Sequence, residues 1–259
     1  MIYKVCDKSI IIKDKTEFNP KHILECGQVF RFKKTDVGYV VFSLDKIATI
    51  IEKANEITII SSDVKYFVNY FDLDNNYNDI KNKIAINSTM KEAINFGSGL
   101  RILKQDPFEM LVSFIISANN NIKRIQSIIE KLCEKVGTKI ESYYAFPTKN
   151  QMLTLSVEEL KKLGLGFRAK YIYNAIRQID EQFFKIENIS TKEGIEFLTK
   201  FSGVGPKVAD CVLLFGFKKT DVFPVDTWIE KVYNDYFCNG KLTNRTKIRE
   251  IQCNQNKFY

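Results

Sequence analysis

The residues best suited to chemistry lie in the stretch TKFSGVGPKVADCVLLFGF, residues 199–217. Pro206 predicts the start of a helix, and Lys207 follows in its first turn, where a cation opposes the helix dipole. Partial burial beside Cys211 and the positive helix end both favour a neutral amine, the form that attacks carbon to give a Schiff base. A surface lysine that extends its amine into solvent is the alternative. The predicted buried stripe of this helix consists of Val208, Val212 and Phe215.

The turn before this helix contains two glycines two positions apart, Gly203 and Gly205, on either side of Val204. Glycine allows positive φ, so successive backbone N–H groups can point outward and bind an anion. The N-terminus of the following helix adds its positive dipole, which suits a phosphate group. An ordinary turn between two helices is the alternative interpretation.

Asp226 lies in the downstream segment DVFPVDTWIEKVY, immediately before a second stretch with helical spacing. Its position predicts an N-cap, in which the carboxylate accepts backbone N–H groups of the first turn. A carboxylate held in this way is also a well-placed anion that could stabilise positive charge on a sugar ring.

The elements that position these groups fall into two parts. Short β-branched and aromatic runs separated by turn residues predict antiparallel strands at 9–13, 27–34, 38–44, 46–53 and 56–62. From Val64 onward the pattern becomes helical, with predicted helix starts at Asp106-Pro107, Ser156, Ser190, Pro206 and Asp226, and a predicted helix over 122–136 that ends at Gly137. We therefore predict an α+β protein, with an N-terminal antiparallel sheet domain over 1–98 and a larger all-helical domain over 99–259.

Composition limits the partners and the location. The net charge of +8 fits a polyanionic partner, although mild basicity also serves solubility alone. Six scattered cysteines and a single histidine argue against a disulfide framework and a typical zinc site. No apolar run reaches the length of a membrane span. We expect a cytoplasmic monomer, associated with the nucleoid if bacterial, that needs no cofactor and no membrane.

Four segments carry a resemblance to a known family. SGVGPKVADCVLLFGF followed by FPVDTWIEKVY resembles the helix-hairpin-helix motif and essential aspartate of the DNA glycosylase superfamily. Within it the chain is most similar to 8-oxoguanine DNA glycosylase/lyase, which implies base excision repair of duplex DNA that contains oxidised guanine. The resemblance runs from about residue 20 to 236. The other three segments are ECGQVFRF (25–32), GLRILKQDPFEMLVSFIISANNNIKRI (99–125) and LKKLGLGFRAKYI (160–172).

The resemblance implies a role for each matching residue. Lys207 is the implied nucleophile and Schiff-base former, and Asp226 its electrostatic partner. Cys211 lines the base pocket, and the Gly27 carbonyl accepts N7–H, the proton that 8-oxoguanine has and guanine lacks. Asn119, Arg124 and Arg168 are the implied contacts to the opposite base, and Phe167 is the implied wedge that fills the gap left by the flipped base. The implied phosphate contacts are the backbone amides of Gly203, Val204 and Gly205. A metal ion held by carbonyls of the same hairpin is a further option.

Two departures from the family pattern stand out. Trp228 occupies a position where the family often has histidine, and we expect the family's final helix, which reads the flipped base, to be missing after Tyr259. Two other functions therefore stay open. One is a monofunctional alkylpurine DNA glycosylase that activates water at Asp226, and the other is a non-catalytic helix-hairpin-helix module that binds DNA.

Overall fold

The computed structural model describes residues 2–238 and 242–255, and the side chains of all of these except 253–255. Six strands form one antiparallel sheet in the order β1-β2-β6-β5-β4-β3. Two more strands form a small hairpin. The strands are β1 (Tyr3–Cys6), β2 (Ser9–Ile12), β3 (Phe32–Thr35), β4 (Gly38–Ser43), β5 (Lys46–Glu52), β6 (Ile57–Ile60), β7 (Lys139–Ile140) and β8 (Tyr143–Tyr144).

Alternation of apolar residues explains the sheet. In β2, β5 and β6 buried residues alternate with more exposed ones, so one face of these strands packs against helices and the other stays more accessible. The aromatic residues of α2 complete this core. The strand residues of the core include Ile10, Ile12, Val41, Ala48, Ile50, Ile57 and Ile59. Phe67 and Tyr70 of α2 and the following Phe71 belong to the same core.

Helices fill most of the remaining chain. They are α1 (Pro20–Leu24), α2 (Val64–Tyr70), α3 (Tyr77–Ile84), α4 (Ser88–Phe96), α5 (Pro107–Ser117), α6 (Ile122–Val136), α7 (Lys149–Leu153), α8 (Val157–Leu160), α9 (Arg168–Gln178), α10 (Glu181–Phe184), α11 (Thr191–Leu198), α12 (Pro206–Phe215), α13 (Thr227–Phe237) and α14 (Arg245–Gln255). A π-helical turn at Lys161–Leu165 and a 3-10 turn at Ile186–Asn188 complete the set in the described residues. Each of these helices is too short or too polar to cross a bilayer.

The predicted α+β fold class is confirmed, and so are the predicted helix starts. Ser156 and Ser190 each form a capping box with the glutamate three residues later. Asp106 caps α5, whose first residue is proline. The strand predictions were less accurate, because β1 was missed.

The segment predicted as a strand over 27–34 is strand only from Phe32 onward. Gly27 has a φ of +90°, outside the β region, so the strand cannot include this residue. The residues between α1 and β3 therefore form a loop.

The chain falls into two compact units. The first contains residues up to Gln105 together with Asn120–Gln151, and the second contains Asp106–Asn119 and the residues from Met152 onward. In the first unit, buried Arg31 donates to Glu130 of α6 at 3.2 Å and to the Tyr144 carbonyl at 2.6 Å, so α6 and the β7–β8 hairpin pack with the sheet. The predicted domain boundary between 98 and 99 stays a prediction.

Candidate functional site

The start of α12 presents Lys207. Gly205 is the N-cap with extended backbone and no side-chain cap, and Pro206 is the first helical residue. Lys207 is half-buried, and its Nζ lies 5.1 Å from the centre of the Phe114 ring. Phe114 in turn stacks on Phe215 at 5.6 Å. The amine is therefore held over an aromatic face rather than extended into solvent, while its protonation state stays a prediction.

Cys211 lies one turn after Lys207, and its side chain is almost fully buried. Burial raises the pKa of the thiol to about 11, while a hydrogen bond and the positive charge of Lys207 oppose that rise. The charges of Asp210 and Asp226 raise the pKa of the thiol further. The lysine amine and the Asp226 carboxylate both affect the pKa of this one thiol, and Lys207, Cys211 and Asp226 are therefore the candidate cluster.

Asp226 begins α13 and is half-buried. Its Oδ1 accepts the backbone N–H groups of Trp228 and Ile229, both at 2.9 Å, which confirms the predicted N-cap. Within residues 2–238 and 242–252, no protein group donates to Oδ2. The carboxylate is thus fixed through one oxygen and can act through the other. Trp228 itself is 73% exposed.

The hairpin before α12 requires glycine at Gly203. The residue has a φ of +79°, and a Cβ there would lie 2.6 Å from the Cβ of Tyr171. The prediction for Val204 needs correction, because its N–H donates to the Phe201 carbonyl at 3.1 Å to close the turn and is not open to a phosphate. Among the described residues, no acceptor faces the N–H groups of Gly203 and Gly205, which remain suited to that role.

The loop after α5 is held by Arg168. The guanidinium is buried and donates to the Ala118 carbonyl at 2.5 and 2.8 Å and to the Asn119 carbonyl at 2.7 Å. Asn119 is exposed, with a φ of +49°, so its side chain is displayed by a backbone that Arg168 fixes. The structure thus uses Arg168 as a support for this loop, and its predicted contact with an opposite base stays a prediction.

Phe167 is 57% exposed, as a side chain that wedges into a duplex must be. The guanidinium of Arg168 lies 4.3 Å from the centre of its ring, and Tyr171 meets the ring edge-on at 6.0 Å. The ring therefore lies at the surface, and its contacts with Arg168 and Tyr171 hold its orientation.

The first unit carries the other two predicted residues. Gly27 is half-buried with a φ of +90°, and none of the described residues donates a hydrogen bond to its carbonyl. Arg124 is exposed in the first turn of α6, and its backbone N–H is capped by Asn121. Both residues are accessible, as their predicted roles require.

Sequence reasoning missed two contributors to the site. Phe114 was read only as part of an apolar helix, although its ring carries the lysine amine. Asp210 is fully buried in α12 and forms a two-point ion pair with Arg249 of α14, at 2.5 and 2.7 Å. Burial raises the pKa of this carboxyl and Arg249 opposes the rise. A charged residue between Ala209 and Cys211, inside the buried stripe, was the available signal.

Metal binding has little support from side chains. In the part of the chain that the structure describes, no three His, Cys, Asp or Glu residues converge as ligands. The carbonyl of Phe201 already accepts Val204 N–H, and the carbonyl of Gly205 accepts Ala209 N–H at 3.0 Å. An ion held by other hairpin carbonyls stays a prediction.

Family models match nearly the whole chain. The model for the N-terminal domain of 8-oxoguanine DNA glycosylase matches residues 10–111. The model for HhH-GPD superfamily base excision DNA repair proteins matches residues 112–254. The second match includes the hairpin, Lys207 and Asp226.

Individual proteins agree with these matches. The N-glycosylase/DNA lyase of Saccharomyces cerevisiae is 33% identical over 211 residues, which are 74% of this chain and 55% of that protein, so the chain spans little more than half of that curated relative. The apo crystal structure of the Clostridium acetobutylicum 8-oxoguanine glycosylase/lyase superposes with a TM-score of 0.91 at 34% identity, covering 98% of this chain and 93% of that one. The complex of that enzyme with dsDNA containing cytosine opposite 8-oxoG gives 0.90 at 33%, covering 98% and 92%.

Proposed function

Because the chain belongs to the HhH-GPD superfamily of base excision DNA repair proteins, we propose that it is a DNA glycosylase with AP-lyase activity that removes 8-oxoguanine from duplex DNA. The observation that carries the proposal is the cluster at the start of α12. It combines the half-buried primary amine of Lys207, immediately after a glycine hairpin suited to phosphate, with the buried thiol of Cys211 and the fixed carboxylate of Asp226 at the start of α13. A half-buried primary amine in a set that also supplies a fixed carboxylate suits covalent attack on a sugar carbon better than it suits simple DNA binding.

The proposed reaction begins when the Lys207 amine, having lost its proton, attacks C1′ of the damaged nucleotide. The bond from C1′ to the base nitrogen breaks, and the base leaves with the electron pair and takes up a proton. Positive charge develops on the sugar during this step, and the carboxylate of Asp226, which is fixed through Oδ1, stabilises it through Oδ2.

The second stage cleaves the strand. The sugar ring opens, with O4′ taking the electron pair and a proton, and C1′ forms an imine with Lys207. Loss of a proton from C2′ then expels the 3′ phosphate with the C3′–O3′ electron pair. Water hydrolyses the imine and regenerates the amine. Every group that the protein supplies is a side chain or backbone group of the chain, and no cofactor enters the scheme.

Duplex DNA as the partner is supported by the surfaces around the cluster. The open N–H groups of Gly203 and Gly205 suit a backbone phosphate, the exposed Phe167 suits insertion into the stack, and the displayed Asn119 suits a base edge. The net charge of +8 favours association with a polyanion.

Borohydride trapping on a duplex with 8-oxoguanine opposite cytosine tests the proposal. The wild-type protein should form a covalent adduct, since borohydride reduces the imine to a stable amine. Lys207→Gln should form none and should still bind the duplex. Lys192→Gln, which removes an exposed lysine from α11, is the matched control and should trap like wild type.

The alternatives give different results in the same assay. Base release without an adduct would indicate a monofunctional glycosylase. Binding with neither release nor adduct would indicate a DNA-binding module. Either outcome contradicts the proposed lyase.

A further inference from the structure

The loop that carries Gly27 is held by the side chain of the next residue. Gln28 is 2% exposed, and its Nε2 donates to the carbonyls of Ile23 and Arg101, both at 2.8 Å. Its Oε1 accepts the backbone N–H of Leu103 at 2.9 Å. Both amide protons and the carbonyl oxygen of this side chain are therefore used. They join the end of α1 to a segment more than seventy residues away in sequence.

A second buried glutamine fixes the backbone of the first. Gln105 is 6% exposed, and its Nε2 donates to the Gln28 carbonyl at 2.7 Å. The peptide group that follows the Gln28 Cα is thus restrained by Gln105. Burial raises the pKa of the Cys26 thiol and the Gln28 backbone N–H opposes that rise, so this N–H lies on the side of Cys26.

This arrangement determines where the Gly27 carbonyl points. The structure contains no cis peptide bond in its described residues, so the Gly27 carbonyl and the Gln28 N–H point in opposite directions. The N–H faces Cys26, and the carbonyl therefore faces away from it. A Cβ built on Gly27 meets no atom within 4 Å, so the residue borders open space. None of the described residues donates to the Gly27 carbonyl, which is therefore available to a ligand on a loop that buried hydrogen bonds hold in place.

We propose that Gln28 and Gln105 are positioning residues that hold the Gly27 carbonyl fixed for recognition of an oxidised purine. The inference rests on the proposed function, together with the role that the family resemblance implies for this carbonyl, which is to accept N7–H of 8-oxoguanine. Guanine would present the lone pair of N7 to the same carbonyl oxygen, and the two would repel each other. This repulsion rejects guanine in favour of 8-oxoguanine only if the carbonyl cannot rotate away. A rigid acceptor is thus a condition for discrimination.

The test uses Gln28→Met and Gln105→Met, which keep approximate side-chain shape and remove the hydrogen bonds. Two substrates are compared, a duplex with 8-oxoguanine opposite cytosine and a duplex with a preformed abasic site. The abasic site contains no base, so strand cleavage and borohydride trapping on it need Lys207 but not the Gly27 carbonyl. We expect the rate of 8-oxoguanine excision to fall by about tenfold or more, and cleavage at the abasic site to stay within about twofold.

Ser61→Ala is the control, because it removes two hydrogen bonds in the same unit, one donated to the Ile47 carbonyl at 2.8 Å and one accepted from the Asp63 N–H at 3.0 Å. It should change neither rate. Equal losses on both substrates, or no loss on either, would overturn the positioning role. If Gln28→Met does not fold, Gln105→Met decides, since it removes a single bond. Wild-type protein that cleaves neither substrate would instead refute the proposed function itself.

Discussion

Two parts of the molecule present chemistry in different ways. The stretch from Gly203 to Cys211 presents side chains from a regular helix, one turn apart, on one edge of a buried stripe. The loop from Glu25 to Arg31 presents a backbone carbonyl, and its shape depends on two buried glutamines. The first arrangement follows from local spacing. The second follows from contacts between residues far apart in sequence.

The difference shows which kind of site a sequence reveals. A helix repeats every 3.6 residues, so the neighbours of Lys207 can be read from the chain. A loop has no such period, and Gly27 looks like any turn glycine until its surroundings are known. Sites built from backbone groups are therefore recognised by resemblance or by structure.

The largest effect is expected at the carboxylate of the helical site. Asp226→Asn keeps an N-cap, because asparagine caps as well as aspartate, but removes the charge. We expect the excision rate to fall by roughly 10²–10³ with little change in DNA affinity. Asp226→Ala should lose the same rate and about 1 kcal/mol of stability in addition. Single-turnover kinetics and thermal melts measure the two effects, and full turnover by Asp226→Asn would contradict the electrostatic role.

The next effect is a difference in the pH dependence of stability between loss of the Asp210–Arg249 ion pair and loss of the neutral hydrogen bonds of Gln28. Arg249→Met leaves the Asp210 carboxylate buried without its partner, at a cost of about 3 kcal/mol in the free energy of unfolding. Burial raises the pKa of Asp210 in the folded state, and removal of Arg249 raises it further. The folded state then binds more protons than the unfolded state, so the stability of the variant should recover as pH falls.

Gln28→Met should also lower the free energy of unfolding, but this loss should not depend on pH, because the three backbone groups bonded to the Gln28 side chain do not titrate. Urea melts at about pH 5 and 8 make this comparison. Lys247→Met, which removes an exposed pairing with Glu250 at 3.4 Å, is the control for Arg249→Met. A penalty for Arg249→Met that stays equal at both pH values would contradict the assigned ion pair.

Substitution of Gly203 or Gly27 by alanine tests how strongly each region depends on a backbone with positive φ. At Gly203 an alanine meets both a positive φ and the Tyr171 side chain, whereas at Gly27 it meets a positive φ alone. We expect Gly203→Ala to cost about 2 kcal/mol or more and to weaken DNA binding, and Gly27→Ala to cost about 1 kcal/mol. Gly205→Ala, at a φ of −90° with open space, is the control. Equal stability losses at Gly203 and Gly27 would show that Tyr171 moves aside.

The last effect concerns the Cys211 thiol and appears only at high pH. Its pKa in the folded state is about 11, above the ordinary value of 9.0, because the thiol is buried. The folded state therefore binds more protons in this interval, and stability should fall as pH rises from about 9 toward 11, by about 1 kcal/mol per pH unit. Cys211→Ala should lose this dependence. Identical pH profiles for the variant and the wild type would place the titration elsewhere.

Much of the helical region could be predicted from sequence. Capping residues, the half-burial of Lys207 and the N-cap at Asp226 all depend on residues within four positions of one another. The interactions that were missed span longer distances. Val204 turns its N–H inward, Arg168 supports the loop at Asn119, and Phe114 approaches Lys207 only because α5 packs on α12. The same reason explains why α6 was not expected to pack with the sheet through Arg31.

Trp228 is the single tryptophan of the chain, it is largely exposed, and its N–H is bonded to Asp226. The intrinsic indole fluorescence of the protein therefore arises from one position, two residues from the carboxylate proposed to act on the sugar. Its emission should be red-shifted in the free protein, as for an indole in water. Quenching or a blue shift on titration with duplex would report occupancy of this region without any attached label.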